Sequence, residues 1–539
     1  MDIEIPVASP RTFSHIKRHG QHLLQLKTVL VAVYYPSAFG SGVGKDPGGY
    51  VKWSRETWLP RPRLKTAQGY GLFSGLAQWL AVLWFLVSTW FTKIPAFRNA
   101  DLATHWPVLQ DSKTSGWKIK NQPGSPPEGQ SEEPVFPLII FSHGMGGSRT
   151  AYSSLCGEFA SYGFVVVALE HRDGTGPRTL INHPTEGFAS AEHEKNTNDP
   201  GVKARFETVD YIFPKDNPMD TSPGNPQGID GELRTAQLGL RLAEIDEAYQ
   251  LINVINRGDG LDIAQRNLRK AGGVGASSRG LEGVNWSGWK GRVNVKQVTM
   301  VGHSFGAAAT VEVLRQKEDF HWVKQAIIYD IWGAPLKPAS NLEQHINVPL
   351  LAVNSEAFTY WEENFKTVTS LCEETSECGA PSWLMTVRGT VHISHSDFCI
   401  LYPHVASIFL KMVLKPERAI DLNINASLEF LARVIAKPAP FHRSLRNGQI
   451  LEQQPLEKLP TKLKPDEERM ARRLKLEHEM RGRVNPKLRR RLKKVGGIHS
   501  DDNEVWMHFV PADEVLERWE TRVAEAEDTN GSFGRQVSD

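Results

Sequence analysis

Ser304, Asp330 and His392 are the residues whose types and chain order could carry nucleophilic chemistry. A serine hydroxyl is a poor nucleophile at neutral pH. An imidazole must take its proton as it attacks a carbonyl, and a carboxylate must hold the other imidazole nitrogen. Ser304 sits in Gly302-His303-Ser304-Phe305-Gly306, with the apolar stretch Val298 to Val301 before it and Ala307-Ala308-Ala309 after it. Strand, abrupt Gly-x-Ser-x-Gly turn and helix form a nucleophile elbow, whose glycines permit a strained turn that lifts the hydroxyl clear of the backbone. The pentapeptide alone is common, so its setting carries the weight.

His392 is the expected base, in the loop after the strand Trp383 to Val387, and Asp330 is the expected acid, ending the strand Ala326 to Tyr329. Rivals stand nearby: His303, His395 and His404 for the base, Glu356 and Asp397 for the acid. As the strand neighbour of Ser304, His303 should point away from it, and the other two histidines fall inside or beyond the turn into the next helix. Attack on a carbonyl also needs two backbone N–H groups aimed at the developing oxyanion, worth about 3 kcal/mol each. Phe305, after the nucleophile, is expected to supply one. Met145, within His143-Gly144-Met145-Gly146, supplies the other, while Gly144 and its fellow glycines keep side chains out of the hole and leave room for substrate. No metal or other cofactor is required, and no His/Asp/Glu cluster has metal-ligand spacing.

A parallel sheet must hold these residues. Phe136 to Phe141 reads as a buried strand running into the Gly144 loop, followed by a helix at Tyr152 to Tyr162 and a strand at Phe164 to Leu169, which together make a βαβ unit. Apolar residues from Leu238 to Ile252 recur at helical spacing, so Glu232 to Arg257 is a long helix. Val348 to Val353 is a further strand, a last helix covers Pro403 to Leu414, and Thr28 to Tyr35 is a strand near the sheet edge. Serine, then acid, then histidine, each after a strand, is the chain order of an α/β-hydrolase, with a mostly parallel central sheet flanked by helices.

A chain of 539 residues with 40% hydrophobic and 23% charged content has room for one large domain with insertions or for two domains. Its net charge of +2 says little about partners. The 4 cysteines are too few for a disulfide framework, although Cys372 and Cys378 could close a small loop; reduced thiols inside the cell are expected. Met1 to Pro6 has no basic segment leading into an apolar one, so a cleaved signal peptide is not expected, and Asp2 removes the glycine that myristoylation needs. Gly40 to Gly49, Asp111 to Glu133 and Gly272 to Gly291 read as loops. The polar insert from Gly174 to Gly231 is long enough to be a lid or partly disordered.

From Thr66 to Thr92 no residue is charged, and Leu72 to Phe91 is almost continuously apolar. Its length suits a membrane span. A span, however, would put the strand at Thr28 to Tyr35 across the membrane from the rest of the sheet. An apolar helix over residues 71–92, lying in the lipid interface with Trp79, Leu80, Trp84 and Phe85 towards lipid, is the favoured alternative. A buried core helix and a single true span remain open.

Six stretches give the chain a resemblance to a known family: FSHGMGGSRTAYSSL, FASYGFVVVALEHRDGTG, VGHSFGAAATVEVL, AIIYDIWGAPL, VRGTVHISHSDF and AIDLNINASLEFL. They resemble the single-chain, calcium-independent, lipoprotein-associated platelet-activating factor acetylhydrolases. The resemblance implies hydrolysis of a short or oxidised sn-2 acyl ester of a phospholipid, with Ser304, Asp330 and His392 as triad. It places Trp332 beside the site and makes Leu72 to Phe91 the membrane-docking region. Ile393 stands where that family would have a glutamine, the insert after Gly174 is longer, and a secretion signal is missing. Peripheral attachment to an intracellular membrane follows. A carboxylesterase of other esters, or a catalytically silent hydrolase fold serving as a membrane scaffold, are the rival functions; a scaffold would be marked by a broken triad, and all three members are present.

Beyond Ala436 the resemblance ends, which divides the chain into a hydrolase domain over 1–436 and a basic, helical or disordered extension over 437–539. Lys462 to Lys494 is strongly basic and reads as a solvated helix or as a binder of anionic lipid. No nucleic acid is expected, because no aromatic stacking platform accompanies the charge.

Overall fold

The computed structural model describes residues 1–18, 21–38, 55–108, 123–183, 206–270, 280–443, 448, 450–460 and 503–533. The loop at 40–49, most of that at 111–133, residues 184–205 of the insert, 272–279 of the later loop and the basic run 462–494 lie outside the described residues. Among the described residues, nine strands form the central sheet: β1 (Asp2–Thr12), β2 (Gln25–Tyr34), β3 (Phe136–Ser142), β4 (Val165–Leu169), β5 (Val293–His303), β6 (Val323–Tyr329), β7 (Leu350–Ser355), β8 (Ser382–Val387) and β9 (Val505–Phe509). Their order is β1-β2-β4-β3-β5-β6-β7-β8-β9. The strands from β4 through β8 pair in parallel, β2 runs against β4, and β9 runs against β8. This is the α/β-hydrolase sheet with one strand added at its far edge.

The parallel strands are apolar on both faces because helices cover both. On one side α4 (Gly231–Arg257), α5 (Phe305–Arg315) and α6 (Glu362–Glu377) bury Leu242, Ile245, Ile252, Val311 and Val368. On the other, α3 (Ser153–Ser161) and α8 (Pro416–Val434) bury Leu155, Phe159, Leu422 and Phe430. The long helix is cut cleanly at both ends. Asp230 accepts from the Leu233 N–H, and Gly258 closes it at φ 105°.

Four features depart from the sequence reading. First, the chain opens on a full edge strand, β1, in which Ile3, Ile5 and Val7 alternate with Asp2, Glu4 and Pro6. Second, the apolar run is not one helix. Ser74 to Ala77, with Gly75 at φ 65°, separates α1 (Arg63–Phe73) from α2 (Gln78–Ser88), and among the described residues no helix is long and apolar enough to cross a membrane. Third, the helix at Pro403 stops at Phe409 (α7, Pro403–Phe409), Lys411 turns the chain at φ 61°, and Pro416 opens the longer α8. Fourth, the division at residue 436 does not follow the fold. The segment at 503–509 returns to the sheet as β9, where Val505 and Met507 pair with β8, and helix α9 (Asp513–Phe533) follows. The insert after Gly174 likewise carries a hairpin of Arg178–Asn182 with Phe206–Asp210.

Because Met507 is buried in the sheet's core, Met507→Ala is expected to cost about 2–5 kcal/mol of unfolding free energy in urea titration. A loss below about 1 kcal/mol would mean that β9 is a loose appendage.

Candidate active site

The elbow forms where β5 meets α5. Ser304 takes φ 58° and ψ −121°, so the strain rests on the serine itself. The flanking glycines supply space. A Cβ on Gly302 would lie 2.2 Å from the Gly306 carbonyl oxygen, and one on Gly306 would lie 2.1 Å from that of Ser142. The hydroxyl is thereby raised above the carboxyl ends of the strands.

The structure brings all three chemistry-bearing residues together there. Ser304 Oγ lies 2.9 Å from His392 Nε2, and His392 Nδ1 lies 3.1 Å from Asp330 Oδ2. Asp330 is fully buried and itself at φ 42°, which turns its carboxylate across the end of β7. There Oδ1 accepts from the Ser355 N–H and Oδ2 from the Ser355 hydroxyl, each at 2.5 Å. Burial pushes this carboxyl up, but His395 and His392 beside it outweigh burial and hold it well below the usual carboxylate range. His392 retains 30% side-chain exposure, so the relay opens to solvent at the imidazole.

The sequence rivals find other roles. His395 stands behind the acid, its Nε2 3.7 Å from Asp330 Oδ2 and its Nδ1 3.0 Å from Asn423 Nδ2. His303 makes no bond to Ser304, yet it is not remote. Its ring centroid is 4.5 Å from that of His392, and its Nε2–H donates to the His392 carbonyl at 3.0 Å. Asp397 accepts from the N–H groups of Ser153 and Ser154, the Ser153 hydroxyl and the Trp58 indole, so it caps α3. Glu356 accepts from the Gly389 N–H at 2.7 Å, and His404 is exposed on α7. His303, Asp330 and His392 place ligand-type atoms within 4.8 Å of one another, a grouping that spacing did not reveal. Every imidazole nitrogen in that group is already engaged, by Tyr152, the His392 carbonyl, Asp330 or Ser304.

Residues 118–444 match the family "Platelet-activating factor acetylhydrolase, isoform II". The chain belongs to this family. The platelet-activating factor acetylhydrolase of Gallus gallus is 28% identical over 310 residues, which are 57% of this chain and 64% of that protein. A putative phospholipase A2 of Schizosaccharomyces pombe is 28% identical over 327 residues, 55% of this chain and 67% of its own. For the Canis lupus familiaris acetylhydrolase the figures are 29% over 303 residues, 55% and 57%. The chain therefore spans less than two thirds of the first of these relatives. A ferulic acid esterase from Streptomyces cinnamoneus superimposes only loosely, at TM-score 0.40 and 17% identity over 80% of this chain and 88% of that one.

The stretch FSHGMGGSRTAYSSL forms the end of β3, the loop after it and the start of α3. A Cβ on Gly144 would lie 2.8 Å from the Ser304 Cβ, so the loop sits directly over the serine. The Gly144 carbonyl accepts from His143 Nδ1–H at 2.8 Å and from the Gly147 N–H at 3.1 Å. Across a trans peptide the Met145 N–H must point the opposite way. Neither it nor the N–H of Phe305, first residue of α5, donates to another group among the described residues. His143 can act as this donor because its Nε2 accepts from the His171 N–H, at 3.1 Å, leaving the proton on Nδ1.

The buried EHRD tetrapeptide holds the loop from below. Glu170 pairs with Arg149, His171 bridges Ser142 and Glu244, Arg172 reaches Glu4 of β1, and Asp173 pairs with Arg241. Arg241 also donates to the His143 carbonyl at 2.7 Å. Trp332 is buried against Phe305, ring centroids 5.7 Å apart, with its backbone N–H on the Ser304 carbonyl. Met145 is half-buried, its sulfur taking the Tyr211 hydroxyl at 3.4 Å.

Sequence reasoning missed three contributors. Phe358 stacks on the His392 ring at 4.0 Å and 5°. Ser355 supplies both bonds to the acid. Tyr152 accepts from the Gly144 N–H and donates to His303 Nδ1, linking the glycine loop to the histidine loop. Only Ser355 had a signal, in the Asn354-Ser355 pair that follows the expected strand Val348 to Val353.

Burial, then the nearby Arg241 cation, lowers His143 from 6.5 to about 4. The folded state thus refuses a proton that the unfolded chain accepts, so stability is full above the unfolded value and falls as pH drops below it. On going from about pH 7.5 to about pH 5, His143→Asn is expected to lose about 2 kcal/mol less unfolding free energy than the parent in urea titrations. Equal losses would show that His143 is not held neutral.

Proposed function

We propose that this protein is a serine esterase that hydrolyses the short or oxidised sn-2 acyl ester of phospholipids such as platelet-activating factor. The observation that carries the proposal is the hydrogen-bonded series Ser304–His392–Asp330 in a member of the acetylhydrolase family. His392 takes the Ser304 proton as Oγ attacks the acyl carbonyl, and Asp330 stabilises the imidazolium. The N–H groups of Met145 and Phe305 bind the oxyanion. His392 then protonates the departing glycerol oxygen, and a water activated by the same imidazole releases the acid. Gly144 and Trp332 border the acyl position, and no step calls for a cofactor.

Docking on a membrane surface belongs to the same reading. On α2, Trp79 is 67% and Trp84 51% exposed, with Leu80 beside them, while Phe85 at 5% turns inward onto Trp58 and Tyr70. Phe85 therefore belongs to the core and not to the docking face. The α7 residues Ile408 and Phe409 extend the apolar surface, joined to α2 where the Tyr402 hydroxyl meets Thr89 Oγ1 at 2.8 Å. An apolar patch on two adjoining helices suits insertion into the lipid interface. Phe73, at the end of α1, lies against Gly146, which connects this face to the glycine loop. The free state of all four cysteines supports residence in a reducing, intracellular compartment.

Ser304→Ala and His392→Ala are expected to lower kcat/KM on an acetyl sn-2 phospholipid by about a thousandfold or more, in a panel where palmitoyl at sn-2 is a poor substrate. Full activity in Ser304→Ala rejects the nucleophile, and no preference for the short acyl group rejects the substrate class.

In vesicle flotation, the double substitution Trp79→Ser/Trp84→Ser should weaken binding by about tenfold or more, through apolar area no longer buried in lipid. Unchanged flotation removes the docking face from the proposal.

A further inference from the structure

At the other end of the sheet, α9 lies over the amino ends of β5, β6 and β7 and encloses a groove of about 580 Å³. At ~3.3 Å per residue along β6, Lys324 at its rim is roughly 20 Å from Asp330. The groove is therefore separate from the serine site. Its wall from α9 lies beyond the residues that match the family, which end at 444.

The floor is apolar, made by Val313, Leu314 and Phe320 from the body and Val523 from α9. The rim is cationic: Lys296, Lys317, Lys324 and Arg522. Among the described residues none of these four is in an ion pair, and no carboxylate lines the groove. Four like charges around one concavity repel one another unless an anion sits between them. Two polar atoms of the lining are also buried without partners. Gln325 is 1% exposed, and its Nε2 donates to Thr299 Oγ1 at 2.7 Å while its Oε1 accepts nothing; the Trp519 indole N–H donates to nothing. The open Trp519 donor, beside four cations, calls for an anionic hydrogen-bond acceptor.

We propose that this groove binds an amphiphilic phosphate monoester, a single apolar chain ending in a phosphate. The chain packs on Val313, Phe320 and Val523. The phosphate takes the lysines, Arg522 and the Trp519 N–H. The site makes no use of the hydrolase chemistry, so it stands or falls separately from it.

The test titrates dodecyl phosphate, below its micelle concentration, into the full chain after Ser304 has been blocked with an organophosphonate. Calorimetry is expected to show saturable binding. Dodecanol, which lacks the charge, and inorganic phosphate, which lacks the chain, should each bind at least about tenfold more weakly, as should the probe to Lys324→Glu/Arg522→Glu. Lys296→Gln/Lys317→Gln, which only neutralises the rim, serves if charge reversal impairs folding and should weaken binding severalfold. Flotation with phosphatidate-containing and neutral vesicles separates a membrane lipid from a free ester as the source: selective flotation lost in the variants names the lipid, and binding in solution without flotation names the free ester. Equal affinity for dodecanol, or for both variants and the parent, overturns the proposal.

Discussion

A carboxylate buried at the end of a sheet strand has to remain ionised to orient an imidazole, and burial opposes ionisation. Much of the carboxyl end of the sheet answers that constraint. Asp330 receives both an N–H and a hydroxyl from Ser355, faces His392 on one side and His395 on the other, and is turned there by its own left-handed backbone. Moving any one of these groups would leave a charge without compensation in a region of low dielectric. His392 is fixed in turn by the stacked Phe358 ring and by the His303 N–H on its carbonyl.

A second set of buried charges performs the same service for the glycine loop. Edge strand β1 looks peripheral, yet its Asp2 and Glu4 point inward to Arg149, Arg269 and Arg172. Those arginines lead through Glu170 and the rest of the EHRD tetrapeptide to the floor beneath His143. The loop over Ser304 is thus held by ion pairs reaching from the first strand of the chain to the middle of α4. Tyr152 and His303 close the circuit between the two loops, so the N–H donors and the imidazole share one rigid frame.

The sequence disclosed the parts whose physics is local. Apolar strands bounded by glycine turns, the elbow, and the order of Ser304, Asp330 and His392 could all be read from composition and spacing, and the geometry joins them as that order implies. Features decided by distant partners could not. Phe85 has the same apolar character as Trp84 and differs only in facing Trp58. His303 reads as a mere strand neighbour of Ser304, because nothing local shows that its ring reaches under the histidine loop. The break in the apolar run hides in a single Gly75 within a stretch otherwise suited to one helix. A short strand such as β9, far along a polar tail, has no periodicity to distinguish it; its partner, β8, lies more than a hundred residues upstream.

That last strand bears on the order in which the fold can be assembled. Strand β8 presents an open edge until β9 covers it, and the residues that do so are synthesised more than a hundred residues after β8. Ser304, Asp330 and His392 are all synthesised well before then, so a nascent chain can hold that whole cluster while one margin of its sheet is still bare. During that interval the exposed margin is open to pairing with another nascent chain, and translation past Phe509 ends the exposure.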